Sequence, residues 1–397
     1  MRILFCNYEY PPLGGGGGVI TAHLAAELAT RHEVTVLTSG ALGLPPESRS
    51  PRGVRIVRVP VPFRAQNAVA TAPSMLAFMV AGTRAGRALA RVRSFDVVNT
   101  HFVLPTGPVG AAVAREAGAP NVLSLHGGDL FDPSKRLSPH RYAPLRFWIR
   151  RLLRSADAVV GQSRNTLENM RRFYTPDVPA LRIPLGIPRP PRLAGDRARY
   201  GLTRDDIVLA TVGRLVARKA VHELLAVVAA LAEERIRLLV VGAGPLDAAL
   251  RALSRRLGTE GRVRFLGPVD DEEKFRVLAS ADAYVSTSQH EGFGLVFLEA
   301  LACGLPVVAY DHGGQSDFLR DGETGFIVPL NDRARFATCC RLLADRADLR
   351  AVLGQRARQV AEEFYIDRCA TEYERVFEQV HEAGAGARAT ARRLTAV

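Results

Sequence analysis

A pair of carboxylates, Glu291 and Glu299, stands eight positions apart in the segment 289–304, with a Gly-Phe-Gly turn between them. A short β-rich run precedes the first acid and small residues surround the second, which predicts a strand, a tight loop and a helix. The glycines let the loop backbone approach a ligand closely, and the N–H groups that begin a helix suit an anion. Two acids at such a corner could hold hydroxyl groups, of which a sugar nucleotide offers many.

Two cations, Arg214 and Lys219, follow the predicted strand 207–212. We expect both at the carboxyl edge of the same sheet as the two acids, where they could stabilise a diphosphate leaving group without a metal. If these two side chains converge, Arg218 is expected to point elsewhere. A solvated basic loop is the alternative interpretation for either cation taken alone.

Glycine-rich turns follow several predicted strands. The segment 10–18 ends in five consecutive glycines before the first helix, which predicts a mobile loop whose N–H groups could bind a phosphate. Its spacing matches neither a Walker loop nor a dinucleotide-binding motif, and a merely flexible connection is the alternative. In the second half, Gly244 and Val269 follow two further strands and could line a base pocket, although Gly-Pro turns commonly just end strands.

One histidine, His126, lies in a Ser-Leu-His-Gly-Gly-Asp segment that follows a predicted strand. A neutral imidazole there could hydrogen-bond a sugar hydroxyl at close range, and Asp129 could orient the ring or bind an acceptor. A lone histidine is more often structural, but the two glycines and the aspartate favour function.

The segment 144–156 is a predicted helix that carries four arginines together with Phe147 and Trp148. A basic amphipathic helix with aromatic residues can lie on an anionic membrane surface. The alternative is a helix that packs on its sheet with the arginines outward.

Strands and helices alternate in both halves of the chain, which predicts an α/β protein with parallel sheets. The segment 53–59 alternates at period two, as a half-exposed edge strand would. Each half is expected to be a Rossmann-like, doubly wound domain, and the two domains are expected to face each other across a ligand-binding cleft. Other predicted strands include 121–125, 158–161 and 283–286.

A length of 397 residues suits two domains. The predicted divisions are an N-terminal acceptor domain (1–185), a Pro-rich linker (186–202), a C-terminal nucleotide-sugar donor domain (203–365), a helix that could return to the N-terminal domain (366–382) and a loose basic tail (383–397).

Composition limits the class of protein. With 47% hydrophobic residues the chain suits globular packing, and no apolar run reaches the ~18 residues that span a bilayer. The N-terminus resembles a first buried strand and not a signal peptide. Five scattered cysteines lack metal spacing, which predicts reduced thiols in a cytoplasm, without a disulfide framework or a zinc site.

The net charge of +13 is concentrated in residues 1–185, which carry 23 Lys and Arg against 11 Asp and Glu. This basic half could face an anionic lipid, a phosphate-bearing substrate or nucleic acid, and arginines left on exposed helices are the plain alternative. No aromatic platform or recognition helix supports nucleic acid, so none is expected as a partner.

Several of these segments together resemble one known family. The Glu-x7-Glu stretch with its Phe-Gly-Leu and Ala-Cys-Gly-Leu-Pro-Val-Val-Ala, the Gly-Arg-Leu-Val-x-x-Lys segment, the glycine-rich loop and His-Gly-Gly-Asp are similar to motifs of the retaining glycosyltransferases of family four. The resemblance covers nearly the whole chain and implies the GT-B fold. Two departures are mild: Ala220 stands where the family usually has glycine, and Pro-Leu-Gly-Ile at 184–187 where it has Pro-Asn-Gly-Val.

The resemblance also implies roles for individual residues. Arg214 and Lys219 would hold the donor diphosphate, and Glu299 would bind the nucleotide ribose. Glu291 would contact the transferred sugar, and His126 would lie beside it. Backbone contacts to the donor would come from Gly16 and Gly17 at the phosphates and from Phe293, Gly294 and Leu295 at the sugar.

The implied activity is a retaining transfer of a hexose-type sugar from a nucleotide-diphosphate sugar to an acceptor hydroxyl, without a metal or another cofactor. The acceptor could be lipid-linked, a saccharide or a small molecule, in cell-surface polysaccharide, glycolipid or glycoside biosynthesis. We expect a cytoplasmic enzyme with peripheral contact to an anionic membrane. A catalytically inactive nucleotide-binding or regulatory protein on the same fold is the alternative.

Overall fold

The computed structural model consists of two compact units, which are described separately. The first runs from Met1 to Pro188 and includes the segment that starts at Ile366, and the second runs from Arg189 to Tyr365. The described residues are 1–41, 43–62, 71–133, 135, 137–231 and 233–394, with side chains described as far as residue 384.

The first unit is built on an eight-stranded sheet. Its strands are β1 (Arg2–Asn7), β2 (Glu33–Gly40), β3 (Glu47–Arg49), β4 (Arg55–Pro60), β5 (Val97–His101), β6 (Asn121–Leu125), β7 (Ala158–Gly161) and β8 (Leu181–Arg182). They lie in the order β3-β4-β2-β1-β5-β6-β7-β8, and all neighbours are parallel except the antiparallel pair of β3 and β4. The helices are α1 (Gly16–Leu28), α2 (Ala72–Val92), α3 (Thr106–Ala117), α4 (Ala143–Ser155) and α5 (Arg164–Phe173).

The second unit is built on a six-stranded, fully parallel sheet. Its strands are β9 (Ile207–Val212), β10 (Ile236–Val241), β11 (Val263–Gly267), β12 (Ala283–Ser286), β13 (Val307–Tyr310) and β14 (Gly325–Val328), in the order β11-β10-β9-β12-β13-β14. The helices are α6 (Val221–Ala230), α7 (Asp247–Arg256), α8 (Asp271–Ser280), α9 (Leu295–Ala302), α10 (Arg333–Asp345) and α11 (Ala347–Ala361).

Both sheets bury all but one residue of their central strands β1 and β9, as a parallel sheet covered by helices requires. Leu4 on β1 and Leu209 on β9 are fully buried in their respective cores. Each sheet reverses its strand order beside its first strand, because β1 lies between β2 and β5, and β9 lies between β10 and β12. At such a switch point the loops that follow the strands diverge and leave room for a ligand.

The last helix, α12 (Ile366–Leu394), returns to the first unit. The amide of Ile366 donates a hydrogen bond to the carbonyl of Ile187 over 2.8 Å, and Tyr373 and Phe377 are buried. The tail predicted as loose from residue 383 is helical as far as residue 394, where the helix ends; residues 395–397 lie outside the described part. Alanine and arginine favour a helix even where no apolar stripe is visible, which explains the difference.

Two other expectations differ from the structure. The predicted edge strand at 53–59 is not at the edge, because β4 pairs with β2 on one side and with the three-residue β3 on the other. The segment 186–202 is mostly part of the second unit, which begins at Arg189. There the amide of Asp196 donates to Ser280 over 2.8 Å, and Arg197 pairs with Asp282 over 2.8 Å. Proline prevents a long helix but does not prevent packing.

Helix α4 has two different faces. Ile149, Leu152 and Leu153 are buried in the core of the first unit, as the packed-helix alternative predicts. On the other face Phe147 is 61% exposed and Trp148 is 36% exposed. Within the described residues, no helix combines the length and the apolarity needed to cross a bilayer.

Replacement of Phe377 by alanine is expected to lower the free energy of unfolding of the first unit by about 3–5 kcal/mol. The ring is fully buried on α12 and packs near Phe5 and Tyr373, with ring centroids 6.4 and 5.8 Å away. Urea unfolding followed by circular dichroism measures the change. Glu378→Ala, on the exposed side of the same helix, is the matched control and should change stability by less than about 0.5 kcal/mol. Equal effects of the two substitutions would show that α12 does not dock as described.

Candidate active site

The loops that follow β9 and β12 meet at the switch point of the second sheet. Hydrogen bonds join them: the Gln289 amide donates to the Arg218 carbonyl over 2.8 Å, and the Thr287 hydroxyl donates to the Ala220 carbonyl over 2.9 Å. These bonds bring the predicted cations and the first predicted acid to one corner of the sheet.

Glu291 is at the centre of this corner. Its carboxylate pairs with Lys219 through Oε1 and with Arg218 through Oε2, the latter over 3.1 Å. The side chains are largely withdrawn from solvent, with exposures of 7% for Glu291, 16% for Lys219 and 20% for Arg218. Because charges interact more strongly where water is excluded, these three residues, the Glu291 cluster, act as one electrostatic unit.

The protonation state of the Glu291 cluster follows from its geometry. Burial acts to raise the pKa of Glu291, but Lys219 and then Arg218 outweigh that effect and lower the pKa to about 2. Burial lowers the pKa of Lys219, while the Glu291 carboxylate opposes the shift. Glu291 is therefore ionised at neutral pH, where it can accept hydrogen bonds but cannot supply a proton.

The cations differ from the sequence prediction in one respect. Arg218 does not point elsewhere but joins Lys219 at Glu291, whereas Arg214 is exposed. A short 3-10 helical turn, Ala217–Lys219, brings two adjacent side chains to one carboxylate. The charge of Arg214 still lies close enough to contribute to lowering the pKa of Lys219.

The second acid, Glu299, lies on α9 and is held by a cation from another helix. Lys274, on α8, donates to Glu299 Oε1 over 2.7 Å and to Asp271 over 2.9 Å. Glu299 Oε2 is buried and has no hydrogen-bond partner among the described residues. Burial raises the pKa of Glu299, and Lys274 opposes that shift. A buried acceptor without a donor is unusual in proteins, and it suits a ligand hydroxyl.

The turn between the two acids depends on Gly294, which precedes α9 with φ at +94°. A side chain at this position would be strained and would collide with Phe297. Phe293 is buried against Phe318, with ring centroids 5.2 Å apart, so only its backbone is available to a ligand. Leu295 is the first residue of α9, whose opening N–H groups have no partner within the helix. Backbone contacts from this turn to a sugar stay a prediction.

Two residues predicted to line a base pocket lie in the loops after the neighbouring strands. Gly244 follows β10 in a loop where the Leu215 amide donates to the Ala243 carbonyl over 2.9 Å. Val269 is half-buried between β11 and α8, the helix that carries Lys274. Their contact with a base stays a prediction. Over the described ranges, no group of three or more His, Cys, Asp or Glu is arranged to hold a metal ion.

In the first unit, the last three of the five glycines lie in helix α1 and not in a loop, and the mobility predicted for this segment stays a prediction. Helix α1 begins at Gly16, so Gly16 and Gly17 lie in its first turn. A side chain at Gly17 would collide with the ring of Phe102. The Gly15 amide already donates to the Glu9 carboxylate over 2.9 Å. Contact of Gly16 and Gly17 with phosphates stays a prediction.

His126 is buried after β6, and its ring lies 4.4 Å from that of Phe102 between centroids. Its Nε2 lies 2.9 Å from Nδ1 of His101. Asp129 does not orient this ring, contrary to one of its predicted roles. Its carboxylate accepts hydrogen bonds from the backbone amides of Val103, over 2.7 Å, and of His126, over 3.0 Å. Burial raises the pKa of Asp129 to about 6, although both hydrogen bonds act to lower it. The two bonds also join the loops after β5 and β6. Acceptor binding by Asp129 stays a prediction.

Four residues at these sites were missed by sequence reasoning: Arg218, Lys274, Phe102 and His101. Phe102 adopts φ of +69°, a left-handed conformation that costs a residue with a side chain about 1–2 kcal/mol and that its type does not reveal. His101, in contrast, could have been found from the sequence pattern of its strand. It ends the segment Val-Val-Asn-Thr-His, in which three polar residues interrupt an otherwise apolar buried strand.

Similarity to known proteins covers both units. Residues 195–360 match the family described as "Glycosyl transferases group 1", and residues 15–186 match the "Glycosyl transferase 4-like domain". The D-inositol 3-phosphate glycosyltransferase of Streptomyces scabiei is 31% identical over 388 residues, which cover 90% of this chain and 84% of that protein. The protein of the same name from Actinosynnema mirum is 31% identical over 393 residues, or 91% of each chain.

Solved structures share the fold. Sucrose-phosphate synthase from Thermosynechococcus elongatus has a TM-score of 0.82 at 22% identity and covers 96% of this chain and 100% of its own. Anabaena HepE in complex with UDP-glucose has a TM-score of 0.72 at 21% identity, with coverage of 96% and 100%. The lipopolysaccharide glycosyltransferase WaaG has a TM-score of 0.71 at 19% identity, with coverage of 94% and 99%. The predicted fold of two Rossmann-like domains of GT-B type is confirmed.

The lowered pKa of Glu291 predicts a pH dependence for the stability of the second unit. Because the pKa falls from 4.5 to about 2 on folding, the ion pairs contribute stability that is complete above about pH 5 and is lost as the pH falls toward 2. Between pH 6 and pH 3, this carboxyl group should reduce the free energy of unfolding by about 2 kcal/mol. The Glu291→Gln variant should lack that part of the dependence, which urea unfolding at the two pH values measures.

Glu323→Gln is the matched control, because Glu323 is an exposed carboxylate that pairs with Arg320 at the surface over 3.5 Å. This control should keep the pH dependence of the wild type. The same loss of stability in the wild type and in Glu291→Gln would contradict a buried, ionised Glu291.

Proposed function

Because the chain belongs to the group 1 glycosyl transferases, we propose that it transfers a hexose-type sugar from a nucleoside diphosphate sugar to an acceptor hydroxyl, with retention of configuration. The observation that supports this proposal most directly is the Glu291 cluster at the switch point of the second sheet. Two cations and an ionised acid stand at one corner, and Glu299 lies on the helix that follows. A sugar diphosphate has the complementary groups, which are phosphates and hydroxyls.

In this proposal Lys219 and Arg214 bind the donor diphosphate, with Arg218 beside them. Their three positive charges exceed the single negative charge of Glu291, which leaves the corner positive for a ligand with two or more negative charges. As the bond between sugar and phosphate breaks, charge develops on the leaving diphosphate, and cations already held in place stabilise it without reorganisation. This arrangement supports a transfer that needs no metal or other cofactor.

Glu299 binds the ribose of the donor. Its Oε1 is engaged by Lys274, and its buried Oε2 can accept a hydrogen bond from a ribose hydroxyl. Gly244 and Val269 follow β10 and β11, which continue the sheet from β9, and in this proposal their loops contact the base.

In the second unit, Glu291 and the backbone that begins α9 are the proposed contacts of the transferred sugar, and His126 is the candidate sugar contact of the first unit. A carboxylate with a pKa of about 2 cannot act as the proton donor that a glycosidase uses, so Glu291 accepts hydrogen bonds from sugar hydroxyls. The acceptor hydroxyl attacks the anomeric carbon on the face from which the diphosphate leaves. The glycosidic bond forms as the bond to phosphate breaks, and a diphosphate oxygen takes the proton of the acceptor.

The acceptor binds to the first unit, with Asp129 as a candidate contact. The curated relatives are named for inositol 3-phosphate, a phosphate-bearing polyol. The excess of 23 Lys and Arg over 11 Asp and Glu in residues 1–185 suits an acidic acceptor of this kind. A saccharide or a lipid-linked acceptor carries the same hydroxyl chemistry, and the pathway would then be polysaccharide, glycolipid or glycoside biosynthesis.

The outer face of α4 supports peripheral contact with an anionic membrane from the cytoplasmic side. Phe147 and Trp148 are exposed on this helix, and Arg151 and Arg154 are exposed one and two turns further along. Exposed aromatic rings can enter the boundary between lipid headgroups and acyl chains. Each nearby arginine adds about 1 kcal/mol of attraction to anionic lipid.

The donor experiment uses the full-length protein with UDP-, GDP- and ADP-sugars. One nucleotide class is expected to be hydrolysed slowly, and its free diphosphate should raise the melting temperature. Lys219→Met should lower turnover at saturating donor by roughly 100-fold or more, because a fixed charge at the leaving group is lost. Arg346→Met is the matched control, since Arg346 forms an exposed ion pair with Asp348 over 2.6 Å.

The control should turn over donor at the wild-type rate, and the melting temperature of each variant checks its folding. Stabilisation by a nucleotide without turnover of any donor would indicate the catalytically inactive protein. Wild-type turnover by Lys219→Met at saturating donor would contradict the role of Lys219.

Membrane contact is tested by sedimentation of the full-length protein with vesicles. Vesicles that contain phosphatidylglycerol should bind the wild type, and vesicles of phosphatidylcholine alone should bind it at least ten times less. The double variant Phe147→Ser and Trp148→Ser should lose most of the binding to anionic vesicles, because the aromatic rings no longer insert. Val352→Ser, which removes an exposed apolar side chain of the second unit, is the control and should bind as the wild type does. Undiminished binding of the double variant would exclude α4 as the contact.

A further inference from the structure

A cavity of about 490 Å³ lies beside β11, the edge strand of the second sheet. Its walls are formed by β11, by α7 and by the turn 199–201. None of its lining residues takes part in the candidate active site, and β10 separates β11 from β9, the strand that precedes Lys219. Sites for small molecules typically have volumes of about 300–1,000 Å³, so this cavity is large enough for a ligand of its own.

The cavity concentrates positive charge in a part of the chain that is otherwise nearly neutral. Residues 186–397 carry 30 Lys and Arg against 29 Asp and Glu. Four arginines nevertheless line this one cavity: Arg199, Arg251, Arg255 and Arg264. Two of them are balanced by acids, because Arg199 pairs with Glu273 over 2.9 Å and Arg251 pairs with Asp247 over 2.9 Å.

The other two arginines, Arg255 and Arg264, are not balanced in this way. Among the residues that the structure describes, neither guanidinium forms an ion pair with a carboxylate. Arg264 Nη2 donates to the Gly201 carbonyl over 3.2 Å, and a side chain at Gly201 would come within 2.9 Å of this nitrogen. A guanidinium has five N–H donors, so most donors of these two residues are available to a ligand.

The uncharged polar side chains at the cavity are already engaged. The Tyr200 hydroxyl donates to Glu273 over 3.0 Å, and the hydroxyls of Ser254 and Thr259 share a hydrogen bond of 2.8 Å. The arginines are therefore the groups that select a ligand. The half-buried Phe265, which also lines the cavity, offers an apolar surface for the carbon skeleton of that ligand.

An anion is the class of ligand that this arrangement selects. Glu260 also lines the cavity, but even with this acid and the two paired acids the positive charges outnumber the negative ones. Guanidinium groups match phosphate oxygens and bind them through parallel N–H groups. A phosphate monoester carries about 1.5–2 negative charges at neutral pH, more than a carboxylate does, and therefore gains more from two unbalanced arginines.

A soluble ligand suits the cavity better than a lipid does. Within the described residues, no exposed large apolar side chain lines it. The groups that enter the boundary between lipid headgroups and acyl chains are therefore missing from its rim.

We propose that the cavity beside β11 binds a soluble small molecule that bears a phosphate group, with Arg255 and Arg264 as its main charged contacts. This second site is separate from the Glu291 cluster, and it does not depend on the proposed glycosyl transfer. A ligand that binds only the folded protein stabilises it, so occupation of the site should also raise the melting temperature.

Binding is measured by isothermal titration calorimetry of the full-length protein at low salt. Glucose 6-phosphate and inorganic phosphate are the probes, and glucose, which lacks the phosphate, should not bind. The double variant Arg255→Ala and Arg264→Thr should weaken the binding of glucose 6-phosphate by at least about tenfold, because two charge-assisted contacts are lost. These two arginines are chosen because their removal leaves no acid without its cation.

Two controls accompany this measurement. The double variant Arg341→Ala and Arg356→Ala removes two exposed arginines from α10 and α11 and should bind glucose 6-phosphate as the wild type does. Lys219→Met, which changes the Glu291 cluster, should also keep this binding. Loss of binding in Lys219→Met would place the ligand at the candidate active site and overturn the inference.

Other outcomes would overturn it as well. A wild type that binds neither probe would show that the arginines are only solvated, and an unchanged affinity in the Arg255 and Arg264 double variant would place the ligand elsewhere. Binding of phosphatidylglycerol vesicles that this variant loses, without binding of glucose 6-phosphate, would identify a lipid headgroup instead. If the double variant does not fold, Arg255→Ala alone decides the question, with a loss of affinity of at least about threefold expected.

Discussion

A carboxylate as buried as Glu291 cannot stay ionised without cations, and the loops of the second unit are arranged to supply them. Lys219 and Arg218 reach it from adjacent positions on one loop, and that loop is bonded through its backbone to the loop that carries Glu291. The two loops can meet because β9 and β12 are neighbours at the switch point. Glu299 meets the same requirement with one cation, since Lys274 donates a hydrogen bond to one of its carboxylate oxygens.

The polar site of the first unit is organised in the opposite way, although this unit carries most of the positive charge of the chain. Asp129 is held by backbone amides. Burial lowers the pKa of His101 and of His126, so both rings are neutral, and a hydrogen bond joins them. Neutral groups that are buried together have fixed donors and acceptors, so they specify where a proton lies. Charged groups in the second unit instead specify where a phosphate can lie. The net charge of a domain is therefore a poor guide to the charge of its site.

Regular elements were predictable where a local pattern determines them. The strands predicted at 121–125, 158–161, 207–212 and 283–286 have the same bounds in the structure, because each is a short apolar run flanked by residues that end strands. The three-residue strand β3 and the packing of the segment after Arg189 were missed, since both depend on partners distant in sequence. The helix beyond residue 383 was missed because a helix rich in alanine and arginine needs no apolar stripe.

The sequence by itself determined the family, the two-domain α/β fold and most of the charged residues of the site, because motif spacing and apolar periodicity are local properties. It also marked Ala220, where glycine is usual, and the structure gives this residue φ of +45°. Only the tertiary structure decided which cation meets which acid. The pairs Arg218–Glu291 and Lys274–Glu299 join different loops and helices, so their partners follow from strand order and not from sequence distance.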